Sequence, residues 1–357
     1  MASKVFLHVG APLAPATTMR DALARHRRRL ARAGVFYPPS HLGHDGGHRD
    51  AVLDALDLAA DQAARQGAWD RLAECVRDWR RGTAVVSHEL LAGATPSQVD
   101  RIVTSLGSAE VHVVYVAQDL GRQLPRAWQQ WVYGGGTAPF ASYAAHVARR
   151  DPHRASRVFW RAHDLDDVLS RWATRVPADR IHVVTAARGD GAGGETWERF
   201  GETLGVDPHR FKLGRPAEDR LGSLAGTEVV RLLNAAGHGQ DAPDEGRLRA
   251  VVSKAQEVTG PVPRLPHDLR EAVTAEADRT TALLASKGWR LVGSPEDLLT
   301  REDAFATDPT QVRPSAEQLV RAHTAVLLSL CAKDAPARGP AGMRRRALRV
   351  LRDRVTP

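Results

Sequence analysis

Three short segments hold residue types that could act on a ligand. The first is HVGAPLAPATTM, residues 8–19. An apolar run, KVFLHV, leads into Gly10, and a helical pattern starts at about residue 16. A strand, a glycine-containing turn and a helix N-terminus can cradle a phosphate, because backbone N–H groups and the helix dipole converge on the anion. Gly10, Ala11, Pro12, Leu13, Ala14, Pro15, Ala16, Thr17 and Thr18 would line that cradle. Pro12 and Pro15 each remove a donor. The Gly-Lys-Ser/Thr ending of a nucleoside-triphosphate loop is missing, which argues against an ATPase or GTPase. Thr17 and Thr18 supply hydroxyls and are candidate helix N-caps; an ordinary turn with a capped helix is the alternative reading.

The second segment is Ser87-His88-Glu89, just past another apolar run. Glu89 or His88 stands where a general base would, and such a base has to come within about 3 Å of the proton it removes. His8, in the first run, precedes the loop and could approach the same place. Capping of the following helix by Glu89 or Ser87, and burial of His8 in the core, are the structural alternatives. The third segment is Gln118-Asp119, with Arg126 two turns along the next helical pattern. His41, His44, Asp45 and His48 lie in a Gly-rich loop without a second ligand pair, so no metal is expected. Asp164, after His163, reads as an N-cap. Trp128, Trp131 and Tyr133 serve packing, and any exposed member could line an acceptor groove.

These segments need a frame. Val5–Val9, Ala84–Val86, Val111–Val116 and Ile181–Val184 are rich in β-branched residues and lack alternation, the pattern of strands in a parallel sheet covered on both faces. Helical patterns fall at about 16–33, 48–80 (broken at Gly67), 96–106, 120–133, 164–175, 195–204, 224–236, 245–258, 267–287 and 315–332. WRLVG, at 289–293, reads as a small edge strand. The expected fold class is α/β, a short parallel sheet sandwiched by helices with a helical second half. Residues 1–305 form the α/β unit; 306–357 form a linker, a helix and a basic tail. Ligands of such sheets bind beyond the carboxyl ends of the strands, where all three segments lie.

VFLHVGAP…TT followed by AGVFYP resembles the opening of the actinobacterial sulfotransferase-family proteins. AVVSHELLAGA, VHVVYVAQDLGRQLPRAWQQWV, FWRAHDLDDVLSRWATRVPADRIHVVT and TWERFGETLGVDP resemble further blocks in the same order, over about residues 4 to 300. The resemblance implies a P-loop-like sulfotransferase fold. It also implies 3′-phosphoadenosine 5′-phosphosulfate (PAPS) as cosubstrate, and sulfuryl transfer to a hydroxyl or amine of a small-molecule or glycan acceptor. On the family pattern Gly-x-Pro-Lys-Thr-Gly-Thr-Thr, Gly10, Pro12 and Thr17 are kept. Leu13 replaces the lysine, Ala14 a threonine, Pro15 the glycine and Ala16 the next threonine. Gln118 stands for the arginine that pairs with the 3′-phosphate, Arg126 is near a serine that binds it, and Ser87 ends the second strand block. Glu218-Asp219-Arg220 departs from Asn-x-Ser before a shared Leu-Gly. Framework residues survive and anion-handling residues do not. Sulfuryl transfer, weakened or lost, is one expectation; a non-catalytic homologue using the inherited cleft for a ligand or protein is the other.

Composition bounds the partners. The 357 residues carry a net charge of +8, yet residues 338–357 alone carry +6, leaving the main body near neutral. A nucleic-acid interface is therefore not expected. Leu348, Leu351 and Val355 share one face among the tail arginines, which suits an anionic membrane surface or an acidic partner. Arg27, Arg28 and Arg29 read as a solvated helix face. Two cysteines, Cys75 and Cys331, fit a reducing compartment. A cytoplasmic protein, peripheral at the membrane through its tail, is the expected setting.

Overall fold

A computed structural model describes residues 2–13, 15–39, 48–58, 66–188, 193–213, 221–237 and 245–334. Ala14, His41, His44, Asp45, Glu218, Asp219, Arg220 and the tail 338–357 lie outside the described residues. Six strands, β1 (Lys4–Gly10), β2 (Val35–Phe36), β3 (Thr83–Ser87), β4 (Glu110–Ala117), β5 (Ile181–Thr185) and β6 (Arg290–Val292), form one sheet. Their order is β2-β3-β1-β4-β5-β6 and every pairing is parallel. The α/β class and the four central strands agree with the sequence reading, and β6 is the edge strand expected near 290.

β1 is central and buried on both faces. Val5, Leu7 and Val9 point into one core with Trp69, Leu72 and Trp172. Phe6 points into another with Met19, Leu23, Leu30 and Phe200. The first core is covered by α2 (His48–Ala55), α3 (Ala68–Asp78), α4 (Pro96–Ser105) and α8 (Leu165–Ala173). The second is covered by α1 (Ala16–Arg32) and α9 (Gly194–Thr203). Met19, Ala22, Leu23 and Leu30 form the buried stripe of α1, while Arg28 and Arg29 are exposed. Ala33, expected on that stripe, is exposed because it is the C-cap, one residue past the last helical turn. α2 ends at Ala55, well before the break expected at Gly67; Gly67 is instead the N-cap of α3, and its φ of 75° is left-handed, where glycine carries no Cβ penalty.

A third core joins α5 (Leu120–Tyr133), α6 (Phe140–Ala148), α7 (Arg154–His163), α10 (Leu224–Gly237), α12 (Arg270–Ser286) and α13 (Ala316–Asp334). α11 (Glu245–Gln256) packs against α10 and α13. Trp128 and Phe140 are fully buried there, and Ala322 and Val326 seat α13 on the same core. Helices α6 and α7 were not foreseen from the sequence. No helix among the described residues is long and apolar enough to cross a membrane.

The carboxyl ends of β5 and β6 are locked by Asp297. Its carboxylate accepts from Thr185 Oγ1 at 2.8 Å and from the amides of Arg188 and Ser294 at 3.3 Å, and it pairs with Arg199 at 2.6 Å. Gly293, at φ 110°, passes so close that a Cβ would collide with Thr185 Oγ1 and the Arg199 guanidinium. Gly293→Ala is expected to destabilise the fold by about 1–3 kcal/mol through overpacking and backbone strain, read as a lower urea midpoint in equilibrium unfolding.

Candidate functional site

The loop after β1 is built tightly. A Cβ at Gly10 would sit 3.1 Å from the Tyr115 ring and 3.3 Å from Ala92, so the chain needs glycine to turn there. The Gly10–Ala11 peptide is cis. Ala11 donates its amide to the Val116 carbonyl at 3.0 Å, and Ala16 donates to the Leu13 carbonyl at 3.0 Å. With Pro12 and Pro15 lacking N–H groups, two more of the loop's donors are thus engaged within the protein. Thr17 and Thr18 are not the N-cap. Pro15 occupies that position without a side-chain cap, because the Leu13 carbonyl already closes the turn. Thr18 Oγ1 is buried and has no partner among the described residues.

Leu13 takes a left-handed conformation, φ 77°, which costs a non-glycine residue about 1–2 kcal/mol. Its side chain packs against the α5–α7 core. Pro12 and Leu13 form one wall of a cleft of about 320 Å³, closed by Ala127 and Trp131 of α5, Tyr143 of α6 and Phe159 and His163 of α7. No side chain in the described lining carries a formal charge at neutral pH. Trp131 lies with the Nε1 edge of its ring against Gly136, where a Cβ would clash. His163 stacks on Phe159 with centroids 4.2 Å apart. Burial pushes its ring down to about 3, so it is neutral, and its Nδ1 is buried without a partner among the described residues.

The second segment is brought together with His8, but in a different place. His8 Nδ1 lies 2.8 Å from Ser87 Oγ. Ser87 donates its amide to His48 Nδ1 at 3.2 Å, and His48 Nε2 reaches the Pro38 carbonyl at 3.2 Å. His88 Nδ1 accepts from the Leu90 amide at 3.2 Å and caps the 3-10 turn Glu89–Gly93, so the cap is His88 rather than Glu89 or Ser87. Arg20 of α1 holds Glu89 through both carboxylate oxygens, at 3.0 and 3.2 Å. Sequence reading missed Arg20 and the His48–Ser87 contact, which join residues 69 and 39 positions apart. Burial lowers His8, His48 and His88 to about 4. For Glu89 burial acts upward, but His88 and Arg20 outweigh it and hold the carboxylate below its ordinary range. None of His8, Ser87, His88 or Glu89 is in the described wall of the Leu13 cleft.

Gln118, at the end of β4, lines a small recess of about 40 Å³ with Asp119, Gln123, His163, Glu276 and Thr280. Its carbonyl accepts from Gln123 Nε2 at 2.6 Å. Asp119 caps α5 through the Arg122 amide at 3.2 Å and pairs with the Arg122 guanidinium. Arg122 also donates to the Ala187 and Ala186 carbonyls at 2.8 and 2.9 Å. Arg126 is absent from the described walls of both cavities and is already engaged. Asp164 is the N-cap expected, accepting from the Asp167 amide at 3.2 Å. Among the described residues, no group of three or more His, Cys, Asp or Glu is placed to hold a metal ion.

No family model matches the chain, and no curated protein matches it. Among solved structures, the crystal structure of a sulfotransferase from Alicyclobacillus acidocaldarius is similar, with 14% identity over 71% of this chain and 96% of that chain and a TM-score of 0.40.

The buried histidines make stability depend on pH. Folded His8, His48 and His88 titrate near 4, below the 6.5 of an exposed imidazole. Between those values the unfolded chain binds more protons, so stability falls as pH drops from about 6.5 to about 4. Glu89, lowered in the fold, adds a loss only further down, as pH falls through the carboxylate range. Urea midpoints are expected to fall steadily from pH 7 to pH 4.5, and His8→Phe should shallow that slope.

Proposed function

We propose that the chain is a sulfotransferase-type protein that keeps the ligand cleft at the first strand–helix loop and has given up ordinary sulfuryl transfer from PAPS. The observation that carries this reading is Leu13. It stands where the resemblance places the donor-binding lysine, is held in a left-handed conformation, and packs into an apolar cluster. A fixed charge at such a position is often the largest single catalytic contribution, and losing one donor typically costs 10²–10³ in rate, roughly 3–4 kcal/mol.

Two further features support it. Three of the arginines nearest the strand ends are in ion pairs: Arg20 with Glu89, Arg122 with Asp119 and Arg199 with Asp297. An incoming phosphosulfate would have to break such a pair and leave a partly buried carboxylate uncompensated. The candidate bases are also poorly set. His88 uses Nδ1 to accept from Leu90, so its neutral ring carries the proton on Nε2 and has no free lone pair. Glu89, held below its ordinary range, is a weak base.

One observation favours the second reading, slow transfer to a small-molecule or glycan acceptor with Thr17 and the loop holding the donor. Glu89 is ionised and partly exposed, with 22% of its side chain accessible. In either reading the +6 charge of residues 338–357 adds a contact point for an anionic membrane surface or an acidic partner.

Calorimetric titration with adenosine 3′,5′-bisphosphate at moderate salt tests the reading. No saturable heat is expected at micromolar ligand. Micromolar one-site binding to the unaltered chain overturns it and restores the transferase reading.

A further inference from the structure

We propose that the outer face of α1, with the two loops that flank it, docks on an anionic phospholipid bilayer. This face is separate from the walls of the Leu13 cleft and the Gln118 recess, and its role does not depend on whether the loop after β1 holds an anion.

α1 buries Met19, Ala22, Leu23 and Leu30 against the sheet and turns Arg25, Arg28, Arg29 and Arg32 to solvent. At i, i+3, i+4 and i+7 these four share one side of the helix. Two loops extend the stripe. The Arg29 guanidinium lies 5.8 Å from the centroid of the Phe211 ring, and His26 Nε2 lies 2.8 Å from the Lys212 carbonyl. Arg210 and Lys212, both exposed, are thereby held beside the helix. Past the C-cap, the Gly34 carbonyl accepts from the Thr83 amide at 3.1 Å, and a Cβ at Gly34 would lie 3.4 Å from the Arg81 carbonyl. That contact brings Arg80 and Arg81, also exposed, to the end of α1.

Among the described residues none of these cations forms an ion pair with a carboxylate. Elsewhere exposed arginines are met by one: Arg101 by Asp57, Arg149 by Asp268 and Arg301 by Asp303. The acidic residues closest along the chain, Asp21, Asp78 and Asp207, leave the face strongly positive. The helix dipole favours Arg29 and Arg32, in the last turn of α1. It does not account for Arg25, Arg210 or Lys212.

The make-up of the face selects its occupant. A stable protein interface has an apolar centre, and a nucleic-acid reader adds amide, hydroxyl or aromatic side chains to its cations. None of the large apolar side chains exposed among the described residues belongs to α1 or to either loop. Between the arginines the outer side of the helix offers only Asp21 and Ala24. A fluid anionic bilayer needs no such complement. Its headgroups move to meet fixed cations, and each basic group beside it strengthens binding about fivefold. Residues 338–357, at +6 with Leu348 and Leu351, supply a second signal, and two signals anchor stably where one is marginal.

The test is co-sedimentation of the full chain with vesicles of phosphatidylcholine, with and without about one-third phosphatidylserine, at about 0.1 M and about 0.5 M salt. Retention is expected on the anionic vesicles alone, and only at the lower salt. Arg25→Gln/Arg28→Gln/Arg32→Gln should weaken it at least tenfold with an unchanged urea midpoint. Arg80→Gln/Arg81→Gln, which leaves the helix intact, should weaken it at least threefold. Arg157→Gln/Arg161→Gln/Arg313→Gln removes the same charge at exposed sites on α7 and the linker before α13, and should change it less than twofold.

Equal retention on neutral vesicles overturns the proposal. So does retention indifferent to both the α1 and the loop variants, which would assign binding to the tail alone, or equal weakening by the α7 and linker variant, which would assign it to net charge. Failure to bind vesicles, with salt-sensitive binding of a DNA duplex that the α1 variant abolishes, overturns it in favour of nucleic acid.

Discussion

A carboxylate removed from water has to be met by donors, and Asp297 meets four of them. Thr185, Arg188, Ser294 and Arg199 converge on it from the end of β5, the loop after it, the turn after β6 and α9. Burial alone would raise its pKa; Arg199, Thr185 and the Ser294 amide outweigh that and keep it ionised. The same geometry holds at the neighbouring strand, where Asp119 and the carbonyls of Ala186 and Ala187 engage Arg122. Together these contacts weld the carboxyl edge of β4, β5 and β6 into a fixed rim.

That rim settles what the edge can offer. Guanidinium groups lie within reach of the strand ends, but their hydrogen-bonding capacity faces inward, onto carboxylates and carbonyls. The loop after β1 follows the same logic: Ala11 and Ala16 turn their amides to protein carbonyls, and two prolines have none to give. At the ends of β1 and β3, Ser87 joins His8 and His48 through hydrogen bonds, while His8 Nε2 is buried without a partner among the described residues. An apolar cleft lies on the α5–α7 side.

The four central strands were legible because each is buried on both faces and reads as a run rich in β-branched residues without polar alternation. Gly67 was legible as a helix boundary, the start of α3, but the earlier end of α2 at Ala55 was not. β2 was not, since two residues leave no period to detect. α6 and α7 are short, nine and ten residues, and follow GGGTAP and DPH, which read as loop. The three candidate segments do lie at strand ends, since topology alone dictates that. Which cavity each would face was hidden. Leu13 meets Phe159 and His163 across the cleft, far along the chain, and Ser87 meets His48 from another layer. Thr17 and Thr18 were misread as caps because the Leu13 carbonyl does their work from a conformation no leucine adopts by preference.

The outermost strands are very short, β2 with two residues and β6 with three. Pro38 and Pro39 follow β2, and Arg290 opens β6 as an exposed charge. Phe36 is stacked under Trp79 at 4.9 Å. A foreign β-segment seeking to extend the sheet therefore finds little unsatisfied backbone to grip, and a charge or an imino ring beside it. Both rims of the sheet thus carry a feature that disfavours edge-to-edge pairing with another strand.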